Sequence, residues 1–341
     1  MKFKKLWVLS IVATLLMLAI TSCDVLDPNE PGNLVPKTVD EGNPEHADHA
    51  VALNGSIFHV ETYGNPANPT IIFLHGGPGG DFRGNLRMKE RYEGYSLQDE
   101  YYLVFWDQRG SGLSKRHNKD VLTIEVYIED LNQMIDKYSP GKPVILLSHS
   151  WGAMYATAYI NTYPEKVKGA VLSEPGALTG SIYEDIATEV FNFDLFSEWL
   201  NDWAWDQQIL SPDDHARMDY SAKLQAVEES QPKYHEEHNS DDPQPFWRYG
   251  AAAAKYIQED GQNSEGKFVF DFTTHLDQFT NKVLFMASGN NEAIGEDHQR
   301  MQMRLYPNAD ITVIPDCGHD YWWTKTAEVV AAIHEYLEEI K

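Results

Sequence analysis

The chain has 341 residues, enough for one large α/β domain carrying an insertion or for two small domains. Hydrophobic residues make up 42% and aromatics 12%, which supports a sizeable core and excludes global disorder. A formal net charge of −25 argues against nucleic acid, whose phosphate backbone needs a basic face, and against an anionic membrane surface for the folded part; it suits a cationic substrate, or simply an acidic solvated surface.

Lys2, Lys4 and Lys5 precede an apolar run over residues 6–20, too short for a comfortable membrane span and flanked as an export signal is. The run ends in Leu18-Ala19-Ile20-Thr21-Ser22-Cys23, which resembles the lipobox of bacterial lipoproteins. That resemblance implies a signal peptide over 1–22, lipidation of Cys23 and an exported protein held at the membrane by its lipid alone. An ordinary cleaved signal with an incidental cysteine is the alternative. Residues 23–47 are rich in Pro, Asn and acids with no apolar period, and read as a flexible tether. The second cysteine, Cys317, makes only two, too few for a disulfide scaffold. Neither C-x-x-C nor H-E-x-x-H is present, so the spacing predicts no metal site.

The fold is expected to begin near residue 48. Two short apolar runs flank Asn54-Gly55, a strong hairpin signal. Buried-strand runs follow at 70–74, 101–106, 144–147, 170–172, 283–286 and 311–314, and helical stretches at 123–138, 153–163, 298–305 and 326–340. Such alternation predicts an α/β fold over 48–175 and 266–341: a mostly parallel sheet flanked by helices, with reactive groups at the carboxyl ends of the strands. Residues 176–265 break the pattern. They hold no buried-strand run, are dense in aromatics and carry 19 acidic against 5 basic side chains, which reads as an inserted helical cap.

Four constellations carry chemistry. Ser148-His149-Ser150-Trp151-Gly152 follows the strand at 144–147 and precedes a helical stretch, the context of a nucleophile elbow usually written G-x-S-x-G, with Ser148 in place of the first glycine. His75-Gly76-Gly77-Pro78-Gly79-Gly80 follows another buried strand. Its glycines bring backbone close to a substrate, and the N–H groups of Gly77 and Trp151 are the expected oxyanion donors. A phosphate cradle is excluded because neither G-x-x-x-x-G-K-[ST] nor G-x-G-x-x-G spacing is present. His319 comes after the last strand, in the Ser…acid…His order, and is the expected base. The orienting acid is expected after the penultimate strand, where Gly289-Asn290-Asn291-Glu292 points to Glu292; Asp297 and Glu174 are the alternatives.

His75-Gly-Gly-Pro-Gly, Asp107-Gln108-Arg109-Gly110-Ser111-Gly112-Leu113-Ser114 and Ser150-Trp151-Gly152 together resemble the signature motifs of the prolyl aminopeptidase (proline iminopeptidase) family of α/β-hydrolases. The resemblance implies a serine hydrolase with a catalytic triad, free of metal or cofactor. It would release an N-terminal proline or small residue from peptides through an acyl-enzyme on Ser150. Asp107 and Arg109 read as structural braces. The family holds the substrate amine with cap glutamates, one in a W-x-x-W-E-like segment; here the nearest stretch, Trp247-Arg248-Tyr249-Gly250-Ala251, lacks that glutamate. Glu174 and Trp247 are the candidate substrate contacts, with Glu198 and Asp202 as other acids. An esterase or amidase on the same scaffold is the alternative function, and a non-catalytic binding lipoprotein the third. Epoxide hydrolases and haloalkane dehalogenases need Asp at the elbow, so Ser150 excludes them.

Overall fold

Asn54 and Gly55 both take left-handed backbone angles (φ 42° and 69°) and close a hairpin between β1 (Ala50–Leu53) and β2 (Ser56–Tyr63), as their sequence predicts. The computed structural model describes residues 35–190, 215, 216, 218, 219 and 246–341. After the hairpin come β3 (Thr70–Leu74), β4 (Tyr102–Trp106), β5 (Val144–His149), β6 (Val167–Ser173), β7 (Val283–Ser288) and β8 (Ala309–Ile314). They form one eight-stranded sheet in the order β1-β2-β4-β3-β5-β6-β7-β8. Pairing is antiparallel at β1/β2 and β2/β4 and parallel from β4 onward.

Both faces of the sheet are covered, which is why its inner strands read as continuous apolar runs. Alternate residues take opposite sides: Ile72, Leu74, Val104 and Leu146 face one core, Ile71, Phe73, Leu103 and Ile145 the other. The first core is filled by α1 (Ile124–Tyr138) and α2 (Trp151–Thr162). The second is filled by the C-terminal helix, Thr326–Glu339, through Val329, Val330, Ile333 and Leu337. Each fully buried Ile or Leu stabilises the fold by about 1.5–3 kcal/mol relative to an exposed one. Helix α1 starts where its sequence says it should, with the Thr123 side chain accepting from the Val126 N–H at 3.3 Å. Among the described residues no helix is long and apolar enough to cross a membrane.

The tether prediction needs correcting at its distal end. From Val35 the chain already lies on the core: Val35 and Val39 are buried, the Val39 N–H donates to Leu113 O at 2.8 Å, and Arg248 donates to Pro36 O at 3.0 Å. Two valines in a polar run leave no period to read, because each is held by tertiary contact and not by a repeating face. Signal peptide, Cys23 and most of the expected cap fall outside the described residues. Within 176–265 the structure places α3 (Gly180–Val190) and α4 (Ala251–Asp260), and the 246–251 segment lies on the glycine loop: Gly250 N–H donates to Gly79 O at 2.7 Å, and Tyr249 OH to Pro78 O at 2.9 Å.

Candidate active site

Ser150 stands between β5 and α2 with φ 57° and ψ −125°, a conformation that non-glycine residues rarely adopt and that costs on the order of 1–3 kcal/mol. Its N–H is held by Ser173 O at 2.8 Å, and its carbonyl accepts the first helical N–H of α2, from Ala153 at 2.9 Å. Gly152 is obligatory: a Cβ would sit 2.1 Å from Leu74 O, where α2 passes the end of β3. Ser148, in place of the first glycine of the motif, is accommodated because its buried hydroxyl donates to Val171 O at 2.6 Å across the β5–β6 pair.

Facing the elbow, the loop after β3 passes through Gly77 at φ 124°, where a Cβ would lie 2.6 Å from the nitrogens of Gly79 and Gly80. The loop is braced from beneath by Gln108. Its N–H donates to His75 Nε2 at 3.0 Å, its side-chain amide donates to His75 O at 2.9 Å, and its amide oxygen accepts from the Trp151 indole at 3.0 Å. Burial lowers the His75 pKa, which keeps the ring neutral as that acceptor role requires. The two N–H groups assigned to an oxyanion, Gly77 and Trp151, have no acceptor among the described residues. Asp107 and Arg109 brace as expected. Asp107 accepts from the N–H groups of Phe82 and Leu113 and from His59, while Arg109 makes a two-pronged ion pair with Asp130 at 2.6 and 2.7 Å.

His319 is buried, and its ring packs 4.4 Å from that of His149, the residue immediately before Ser150. His149 Nε2 donates to His319 O at 2.9 Å, which fixes the His319 backbone beside the elbow. Sequence reasoning missed this role; the only signal was a histidine at the variable position of the elbow motif.

The orienting carboxylate is Glu174, not Glu292. His319 Nδ1 donates to Glu174 Oε2 at 2.7 Å. Glu174 is fully buried directly after β6, and its remaining lone pairs accept from Ser288 N–H at 2.7 Å, the Ser288 hydroxyl and Asn291 Nδ2 at 3.1 Å. Glu292 is exposed. The loop after β7 therefore contributes an amide, Asn291, to a carboxylate that arises one strand earlier. The same contacts correct the other role predicted for Glu174: a side chain committed to His319, Ser288 and Asn291 is not a substrate contact. Trp247, the other predicted contact, packs its ring 5.0 Å from both His59 and Phe82 and 5.1 Å from His46, within an aromatic cluster on β2. The sequence did carry a signal for Glu174, an acid just after the buried-strand run at 170–172 and followed by Pro175-Gly176.

A strained serine at a strand-to-helix elbow, the N–H groups of Gly77 in the glycine loop and of Trp151, both without an acceptor among the described residues, and a carboxylate-bound histidine share the carboxyl edge of a parallel sheet. Residues 69–326 match the alpha/beta hydrolase fold. The chain belongs to the alpha/beta hydrolase fold family. Among its α/β-hydrolase relatives, it is similar to a proline iminopeptidase of Neisseria meningitidis, 35% identical over 131 residues, which covers 38% of this chain and 40% of that protein. The matched stretch thus spans well under half of that curated relative's length. By structure it resembles a proline iminopeptidase of Mycobacterium smegmatis (TM-score 0.58, 14% identity, 85% of this chain and 97% of that one). A thermophilic esterase of Thermogutta terrifontis is comparably near (TM-score 0.55, 17% identity, 86% and 97%). Prolyl aminopeptidase-like sequence motifs and a hydrolase scaffold thus occur together in this α/β-hydrolase.

Proposed function

We propose that this hydrolase is a serine aminopeptidase of the prolyl type, acting on small peptides through an acyl-enzyme. The observation that carries the reading is the Glu174–His319 pair beside the Ser150 elbow. With Nδ1 bound to Glu174, His319 takes the Ser150 proton through Nε2 as the hydroxyl attacks the scissile carbonyl. The negative charge on that oxygen falls to the N–H groups of Gly77 and Trp151. His319 then returns the proton to the leaving amine, and water enters by the same route to release the acyl group. Glu174 holds the imidazole tautomer and stabilises the imidazolium. Cys23, by its lipobox-like context, is the proposed lipid anchor of an exported form.

One observation favours a second reading, an esterase or amidase. The glutamate expected in the Trp247 segment is absent, and Glu174 is bound to His319, so neither offers a carboxylate to a substrate ammonium. Release of naphthylamine from proline β-naphthylamide, compared with a panel of p-nitrophenyl esters, separates the two. Turnover of the prolyl substrate is the expected result. Turnover of esters alone discards the aminopeptidase, and absence of labelling by a fluorophosphonate probe discards the serine hydrolase.

A further inference from the structure

A second group of side chains converges away from Ser150, where the hydrolysis makes no use of them. His46 belongs to the N-terminal segment, and His59 and Glu61 to β2. Glu61 Oε1 lies 3.4 Å from His59 Nε2 and 3.7 Å from His46 Nδ1, and the three donor atoms fall within 4.8 Å of one another. Both separations exceed an ordinary N–H···O distance of about 2.7–3.2 Å. They are close to the edge of a tetrahedron with bonds of about 2.1 Å, roughly 3.4 Å, the geometry of zinc held by nitrogen and oxygen. His46 Nδ1 and His59 Nε2 are buried with no hydrogen-bond partner among the described residues, and the His59 side chain is wholly inaccessible. Buried ring nitrogens ordinarily find a partner.

The surroundings of these groups are those of metal ligands. His59 uses its other nitrogen, Nδ1, to donate to Asp107 Oδ2 at 2.8 Å, which fixes the tautomer and turns the Nε2 lone pair toward Glu61. Glu61 is steadied through Oε2 by the Tyr63 hydroxyl. The donors come from residues 46, 59 and 61, a spacing that resembles no metal motif, so only folding of the N-terminal segment onto β2 assembles them. We propose that His46, His59 and Glu61 form a site for a divalent cation of the zinc class, with water as fourth ligand. The ion pins the N-terminal segment to the sheet. In the sheet order β2 is three strand spacings from β5, about 14 Å, so the ion takes no part in hydrolysis. A second cluster, Glu100, His334 and Glu338, is a weaker candidate, because Lys341 already neutralises both carboxylates.

Equilibrium dialysis of the full chain against metal-buffered Zn2+, followed by metal quantitation, tests the site. Wild type and His334→Ala are expected to bind one ion per chain, and His46→Ala and Glu61→Gln to bind about tenfold more weakly or worse. Zn2+ should raise the Tm of wild type and leave that of His46→Ala unmoved. His46 sits at the partly exposed rim, and circular dichroism verifies that its variant folds. Absence of bound Zn2+ on folded wild type, equal binding by folded His46→Ala, or loss in His334→Ala instead overturns the site. None of these readouts depends on turnover, so hydrolase and metal site stand or fall separately.

Discussion

Two imidazole–carboxylate pairs of nearly equal geometry lie in this molecule. His319 Nδ1 is 2.7 Å from Glu174 and His59 Nδ1 is 2.8 Å from Asp107, with both carboxylates fully buried. Their setting differs. The first pair lies at the carboxyl edge of the central strands, its ring packed against the residue that precedes a strained serine. The second joins β2 to the residue just after β4, away from any elbow, its ring enclosed by Phe82, Trp247 and Glu61. A histidine held by a carboxylate is therefore not a catalytic signature by itself; what stands beside its other nitrogen decides the role.

Substitutions can break that comparison, and the largest effect is expected at the nucleophile. Ser150→Ala should reduce kcat until only about 10³–10⁴-fold rate enhancement over water remains, measured on whichever amide or ester the wild type turns over. Glu174→Gln follows: the wrong tautomer of His319 should lower kcat by about 10⁴-fold with little change in KM, whereas Glu292→Gln should leave kcat alone. Equal losses in both variants would return the acid to the loop after β7. Asp107→Asn should act in the opposite manner. Removing the charge beneath His59 and two backbone donors is expected to lower stability by about 3 kcal/mol or more in urea unfolding, while the folded fraction keeps its reactivity toward a fluorophosphonate probe.

The smallest effect sharpens the comparison through pH. Burial pulls the His59 imidazole down, but its hydrogen bond to Asp107 and the negative charge of Glu61 beside it outweigh this and raise it to about 9, above the ordinary 6.5. Burial likewise raises Glu61, and the positive His59 ring beside it together with the Tyr63 hydrogen bond brings it down to about 2 from 4.5. Between pH 6.5 and 9 the folded metal-free protein holds a proton that the unfolded chain releases. The His59 contribution is thus complete below pH 6.5 and disappears as pH rises through 9. That of Glu61 is complete above pH 4.5 and disappears as pH falls through 2. In the presence of chelator, Tm should decline over the alkaline window in wild type and stay flatter in His59→Gln.

Much of the core was legible in sequence because burial on both faces of a parallel sheet forces apolar runs, and because turns and elbows need particular small residues. Asn54-Gly55, the strand ending at His149 and Gly152 each answer to such a local rule. Legibility ended where the partner lies far away in the chain. Glu174 is 145 residues from His319, and whether a loop acid or a strand-end acid meets that ring depends on how β6 and β7 lie side by side, which no spacing encodes. Val35 and Val39 could not announce their burial because a surface elsewhere in the chain covers them.

By itself the sequence determined the alternation of strands and helices, the sharp turn at Ser150 and the glycine loop opposite it, since each follows from backbone sterics and short-range burial. Tertiary structure alone decided that Glu174 orients His319, that His149 anchors it, and that His46 meets His59 and Glu61. Hydrogen bonds and ion contacts act over about 3 Å of space regardless of distance along the chain, so only the folded arrangement selects which polar groups meet.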